Sequence, residues 1–206
     1  MKEIVKPLMQ WYAKHARTLP WRSDPTPYHV WLSEIMLQQT RVEAVIGYYD
    51  RFLEELPDVQ SLAAVSEERL LKLWEGLGYY NRARNLQKAA VQICEQYQGK
   101  FPESYEEWLA LPGIGAYTAG AVTSIAFGKK EAAVDGNVYR IYTRLYADDT
   151  EISKTAFQRN VRETIKEALP EGAGRFNQAL MDLGALICIP NGDCLLYTSP
   201  SPRDTR

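Results

Sequence analysis

Glu34 and Asp135 are the residues whose type and setting point most directly to chemistry. Glu34 interrupts the run Val30-Trp31-Leu32-Ser33-Glu34-Ile35-Met36-Leu37, which is otherwise mostly apolar. A carboxyl group among large apolar side chains should keep its proton to higher pH than usual, because burial disfavours the charged form. That suits a general acid near neutrality. The plain alternative is a glutamate on the solvent face of an amphipathic helix. Asp135 opens Asp135-Gly136-Asn137-Val138 at the expected start of another helix, where it would cap free amides or face a ligand. Two carboxylates in different environments are what cleavage at an acetal-like carbon requires. One protonates the leaving group and the other stabilises oxocarbenium-like charge. The glycosidic bond of a nucleoside is such a bond.

Between them lies Leu111-Pro112-Gly113-Ile114-Gly115-Ala116-Tyr117-Thr118-Ala119-Gly120, a Gly-x-Gly turn running into a helix of small residues. Glycine allows left-handed backbone and close approach, and a helix start leaves amide donors unpaired. Together they can hold a phosphate, although an ordinary corner between two helices has the same pattern. The turn is not a dinucleotide fingerprint: the preceding Tyr105 to Leu111 reads as helix, and the acid expected on a second strand is missing. Nor is it a P-loop, since the Gly-Lys-Ser/Thr ending is absent.

Gln38 and Gln39, beside Thr40-Arg41, carry amides that could fill the space left by an extruded base or read a base edge; they could also be exposed helix formers. Gly76-Leu77-Gly78-Tyr79-Tyr80-Asn81-Arg82-Ala83-Arg84 interleaves aromatic and basic residues at a glycine turn. This suits stacking on bases and pairing with phosphates, and equally a helix start with core tyrosines. His15 and His29 have no metal-ligand spacing with each other or with the cysteines.

The elements that must position these residues read as helices throughout, so the predicted fold class is all-α with short connections. Apolar pairs at Ile4-Val5, Leu8-Met9 and Trp11-Tyr12 mark a first helix. Leu19-Pro20-Trp21 and Pro25-Thr26-Pro27 then break the chain. A buried helix from Val30 carries Glu34, Gln38 and Gln39. Another runs from Val42 to Leu56, stopped at Pro57. Ser66 reads as an N-cap of a helix ended by Gly76 and Gly78. Helices follow over 79–97, over 138–146, over 154–169 and over 176–187, and Ser104 with Glu107 makes a capping box before 105–111.

The chain has 206 residues, 46% of them hydrophobic, enough for one large domain or two small ones. A formal net charge of −2 argues against coating nucleic acid by bulk charge. It leaves room for a local basic face and backbone amides. No run is apolar enough to span a bilayer, and the first residues lack the apolar region of a signal peptide. Three cysteines, Cys94, Cys188 and Cys194, make no disulfide framework, so a cytoplasmic location and no membrane partner are expected. Residues 195–206 lose the helical period abruptly. They look like translated sequencing-adapter read-through, a non-native tail that would mean the natural protein continues, or else like a natural disordered tail.

Taken together, six motifs in order resemble the helix-hairpin-helix DNA glycosylase superfamily, and within it the adenine-specific, MutY-type family. They are Leu19-Pro20-Trp21-Arg22, the run from Ser33 to Val42, Gly76-Leu77-Gly78-Tyr79-Tyr80, the hairpin at 111–122, Asp135-Gly136-Asn137-Val138, and the run from Phe176 to Ala185. Similarity extends from about Trp11 to about Gly192. The resemblance implies an endonuclease III-like fold with a six-helix lobe over 22–131. A second lobe is formed by 1–21 with 132–194, and DNA lies in the cleft between the lobes. It implies a monomeric base-excision-repair enzyme that acts on double-stranded DNA. The enzyme would flip adenine mispaired with 8-oxoguanine or guanine and hydrolyse its N-glycosidic bond.

By the same resemblance, Glu34 would protonate the adenine ring and help activate water, and Asp135 would stabilise the cationic sugar, with Tyr117 and Asn137 in support. Trp21, Arg22 and Gln178 would line the adenine pocket. Gln39 and Tyr79 would enter the base stack, and amides around Gly113 and Gly115 would grip a phosphate. Bifunctional relatives resembling endonuclease III carry a lysine where this chain has Tyr117, so a monofunctional glycosylase is expected. A glycosylase for another damaged or mismatched base, or a non-catalytic helix-hairpin-helix module that only binds DNA, are the alternatives.

One departure concerns the family's 4Fe-4S cluster, held by Cys-x6-Cys-x2-Cys-x5-Cys. Cys188 matches the first ligand, Cys194 follows one residue too early, and the other two are missing. A full-length relative is expected to bind the cluster; this chain is not. The family's C-terminal domain, which recognises 8-oxoguanine, is also absent from the sequence, and the fragment is expected to be less stable in its second lobe.

Overall fold

The computed structural model describes residues 1–190, in which helices form and no strand does. In chain order they are α1 (Lys2–His15), α2 (Pro20–Ser23), α3 (Pro27–Leu37), α4 (Val42–Glu55), α5 (Val59–Ala64), α6 (Glu67–Leu73), α7 (Asn81–Tyr97), α8 (Tyr105–Leu109), α9 (Ala116–Phe127), α10 (Gly136–Tyr146), α11 (Thr155–Ala168) and α12 (Ala173–Leu186). Cys194 and the tail over 195–206 lie outside the described residues. None of the described helices is long and apolar enough to cross a membrane.

Short polar side chains start these helices by accepting from otherwise unpaired amides. Thr26 Oγ1 accepts from His29 N at 3.2 Å before α3, and Ser66 Oγ from Arg69 N at 3.3 Å before α6. Ser104 and Glu107 form the reciprocal box before α8, at 3.3 Å and 3.2 Å. Asp58 and Ser61 form a second such box before α5, at 2.7 Å and 3.2 Å. α5 is not legible as a period in the sequence, because six residues are too few to display one.

The chain divides into two units, Thr18–Phe127 and Met1–Arg17 with the chain from Gly128 onward. In the first, α3 packs against α4, α7 and α9. That explains why the 30–36 run shows no polar face: a helix covered on several sides is apolar nearly all round. Trp31, Trp74 and Trp108 are fully buried there. Phe101 stacks on Trp108 with centroids 5.9 Å apart, and Trp31 meets the same ring edge-on at 5.7 Å. The Trp108 indole donates to Pro102 O at 2.7 Å.

Two boundaries in this unit differ from the sequence reading. α3 ends at Leu37 and does not carry Gln38 and Gln39; Gln39 turns into left-handed backbone, with φ +58°. The last carbonyls of a helix have no amide four residues on, and here Arg82 Nη1 donates to those of Ile35 and Met36, each at 2.9 Å. α7 starts at Asn81 rather than Tyr79, because Gly78 and Tyr79 are left-handed, with φ +69° and +46°.

In the second unit α12 packs against α1 and α10. Phe176, Leu180, Val138, Ile141, Val161 and Ile165 are fully buried in its core. Asp182, its side chain buried, accepts from Arg17 Nε at 2.7 Å and Arg17 N at 3.0 Å. That pair fixes the chain leaving α1 against α12. Asn177 donates to Glu131 O at 2.8 Å and accepts from Ala133 N at 3.3 Å, which ties down the segment before Asp135.

Trp108→Ala should remove the aromatic centre of the first unit. We expect a loss of about 3–5 kcal/mol in its unfolding free energy, read from urea denaturation followed by tryptophan fluorescence.

Candidate functional site

In the Thr18–Phe127 unit, the packing of α3 on α9 brings Glu34 to Tyr117. Glu34 is 7% exposed. The Tyr117 hydroxyl donates to Glu34 Oε2 at 2.6 Å. Glu34 is therefore an interior residue rather than one on a solvent face. A buried carboxyl group without a donor is costly; here the donor also fixes its rotamer. Tyr117 stands two residues after Gly115, at the second position of α9.

The turn before α9 depends on Gly113, which is left-handed at φ +74°. A Cβ there would sit 2.7 Å from Asn85 Cβ on α7, so both backbone angle and space require glycine. Nothing lies within 4 Å of a Cβ built on Gly115. First-turn amides of a helix have no partner inside it, the general feature behind anion sites at helix starts.

A third constellation in this unit is an open depression of about 610 Å³ bordered by Gln38, Gln39, Tyr79, Tyr80, Arg82 and Arg84. Tyr79 is 66% exposed. Neither plain alternative describes this loop: Tyr79 is no core residue, and Gln39 is no helix former. Arg84 is engaged with Glu67 at 2.7 Å. Trp21, by contrast, is buried in α2, edge-on to Tyr49 at 5.4 Å. Burial pushes the Tyr49 hydroxyl well above its usual range. Arg22 follows in the same helix, half-buried.

In the other unit Asp135 caps α10, its Oδ1 accepting from Val138 N at 2.9 Å and its Oδ2 from Asn137 Nδ2 at 2.8 Å. Asn137 in turn accepts from Arg140 Nη2 at 2.7 Å. The Arg140 guanidinium also donates to Gly184 O and Cys188 O, each at 2.6 Å. Burial is the main influence on Arg140 and pulls its pKa below the usual value. A Cβ on Gly184 would lie 2.4 Å from Asn137 Cβ, so Asn137 occupies space that only glycine leaves. Gln178 on α12 accepts from the Tyr12 hydroxyl at 2.9 Å. Neither Arg140 nor a role for Gly184 is singled out by the sequence. The spacing of Asn137 and Arg140, three apart on one helix, was the available signal.

The cysteines do not fit a four-thiolate cluster. Cys188 is fully buried, its Sγ accepting from Arg144 Nη1 at 3.2 Å. Cys94 belongs to α7 and faces Val59 O at 3.8 Å, and burial raises its thiol pKa. With Cys194 these make three in the chain. No group of His, Cys, Asp and Glu among the described residues could hold a metal ion.

The family model for the HhH-GPD superfamily of base excision DNA repair proteins matches residues 32–167. The adenine DNA glycosylase of Buchnera aphidicola subsp. Baizongia pistaciae is 42% identical over 184 residues, covering 88% of this chain and 52% of that protein. The chain spans about half the length, or less, of the curated relatives it matches. The structure of a thermostable thymine-DNA glycosylase superposes with a TM-score of 0.84 at 31% identity, covering 92% of this chain and 88% of that one. A non-covalent endonuclease III–DNA complex superposes with a TM-score of 0.77 at 24% identity, covering 97% and 90%, a likeness of fold.

Gly184→Ala should drive its new methyl group into Asn137 and separate that amide from Asp135. The expected cost is about 1–3 kcal/mol, measured as a lowered midpoint of chemical unfolding by circular dichroism.

Proposed function

The chain belongs to the HhH-GPD superfamily of base excision DNA repair proteins, and from that premise we propose that it is a monofunctional adenine DNA glycosylase. Its substrate is double-stranded DNA in which adenine is mispaired with guanine or 8-oxoguanine. The nucleotide is turned out of the duplex, and its N-glycosidic bond is hydrolysed. The observation that carries this reading is the buried Glu34 carboxyl group held by the Tyr117 hydroxyl. A proton donor that must reach a purine ring needs a fixed rotamer and an environment without bulk water, and Glu34 has both.

In this mechanism Glu34 protonates the adenine ring, which turns a poor leaving group into a neutral one, and then assists the attacking water. Asp135 stabilises positive charge on the sugar. Asn137 orients Asp135 through the bond between them. Tyr117 has no amine, so it cannot form an imine with the sugar; water is the nucleophile. Gln178, with Trp21 and Arg22, contacts the adenine. Gln39 and Tyr79 occupy the gap in the stack. The amides around Gly113 and Gly115 bind a backbone phosphate. No step runs through a metal cluster.

Adenine is favoured over other bases by the 42% identity to adenine DNA glycosylases across 88% of the chain. The thymine-DNA glycosylase, at 31%, carries the second reading, a mismatched pyrimidine.

Assay of base release on duplexes holding adenine opposite guanine, 8-oxoguanine or thymine, and thymine opposite guanine, separates these readings. We expect adenine release from the first two. Glu34→Gln should slow that release by about 10²–10⁴-fold with duplex affinity retained; undiminished turnover would remove Glu34 from the mechanism. Borohydride should trap no adduct on any lysine. A trapped lysine would contradict the monofunctional assignment.

A further inference from the structure

The polar contacts of Arg82 differ in kind from those of Arg69 and Arg84 in its unit. Arg69 and Arg84 pair with carboxylates. Among the described residues Arg82 pairs with none. Its guanidinium donates instead to the acceptors of two separate backbone segments. Nη1 reaches Ile35 O, Met36 O and Gln38 O, at 2.9, 2.9 and 2.5 Å. Nη2 reaches Leu77 O at 2.9 Å, with Gly78 O and Thr40 Oγ1 each at 3.3 Å.

The carbonyls of Gln38 and Gly78 belong to the peptide planes that lead directly into Gln39 and Tyr79. Those two are non-glycine residues with left-handed backbone, at φ +58° and +46°. A peptide unit is planar, so holding its carbonyl oxygen holds the whole plane and restricts the φ that follows. Left-handed backbone outside glycine costs of order 1–3 kcal/mol per residue and persists only where the surroundings over-determine it. One rigid fork over-determines both. It also lies 5.7 Å from the Tyr79 ring centroid and 5.5 Å from that of Trp74, and the Trp74 indole donates to the same Gly78 carbonyl at 3.1 Å.

We propose that Arg82 is a positioning residue that locks Gln39 and Tyr79 into one preformed wedge, the element that opens the base stack. This rests on the glycosylase reading above and adds to it a residue that touches no DNA. The guanidinium is needed for its shape rather than its charge. A lysine ammonium has three donors on a flexible stem and cannot span six acceptors in two segments. Without the fork, Gln39 and Tyr79 relax toward ordinary backbone and must be ordered anew with each duplex bound. That ordering cost falls on extrusion and not on phosphate contacts.

The test uses the full chain and a duplex with 2-aminopurine in place of the mispaired adenine, whose fluorescence rises when the base leaves the stack. Arg82→Met and Arg82→Lys should both bind the duplex. Both should lose the fluorescence rise, and base release under single-turnover conditions should fall on the order of 10²-fold, in the rate at saturating protein more than in the half-saturating protein concentration. Combining Arg82→Met with Gln39→Ala and Tyr79→Ala should add no further loss, since the clamp then has nothing to position. Full activity in Arg82→Lys would overturn the proposal, as would losses that simply add. Should neither variant fold, hydrogen exchange on the wild-type chain decides. Residues 36–40 and 77–82 are expected to open as one unit, and independent opening sinks the assignment. A wild-type chain that binds the duplex without changing the fluorescence defeats the wedge alone. One that releases no base from any mispair defeats the glycosylase reading itself.

Discussion

A carboxyl group inside a helical core is tolerated only where a donor reaches it, and much of the Thr18–Phe127 unit follows from meeting that condition for Glu34. α3 must be covered on several sides to bury the residue. α9 must start close enough to α3 for the Tyr117 hydroxyl to reach Glu34 at 2.6 Å. For α9 to start there, the preceding turn must be tight, which Gly113 makes possible at φ +74° against Asn85. The same turn that places the donor also sets where the first turn of α9 begins. The buried carboxyl group and the glycine turn are thus consequences of one packing arrangement.

The second carboxylate is held by a different logic. Asp135 caps α10, which satisfies orphan amides, and its other oxygen takes the amide of Asn137. Asn137 is held by Arg140 and seated in the space left by Gly184. One acid is buried against a hydroxyl and the other surrounded by N–H donors. In the proposed reaction, environments this unlike match the opposite roles given to the two carboxyl groups.

Local signals in the sequence are the ones that read directly. Ser66, Asp135 and the Ser104–Glu107 box announce helix starts because each bonds within three residues of itself, and the apolar run around Glu34 announces a covered helix. What stays hidden depends on distant partners. Nothing near Gln39 or Tyr79 signals left-handed backbone, since neither is glycine or asparagine; the cause is Arg82, more than forty residues from Gln39. The clamp of Arg140 on Gly184 and Cys188 spans a similar separation. Short α2 and α5 are hidden for another reason, having too few turns to show a period. The apolar setting of Glu34 is legible; which face of α3 it occupies, and its bond to Tyr117, eighty-three residues on, are not.

The central claim, that Glu34 supplies a proton to the departing base, is tested most directly with a leaving group that needs none. A duplex carrying N7-methylated adenine presents a purine that is already cationic. The Glu34→Gln chain should recover most of its lost rate on that duplex, above spontaneous loss of the base, while remaining defective on unmodified adenine. An equal defect on both substrates would show that Glu34 acts in some way other than protonation.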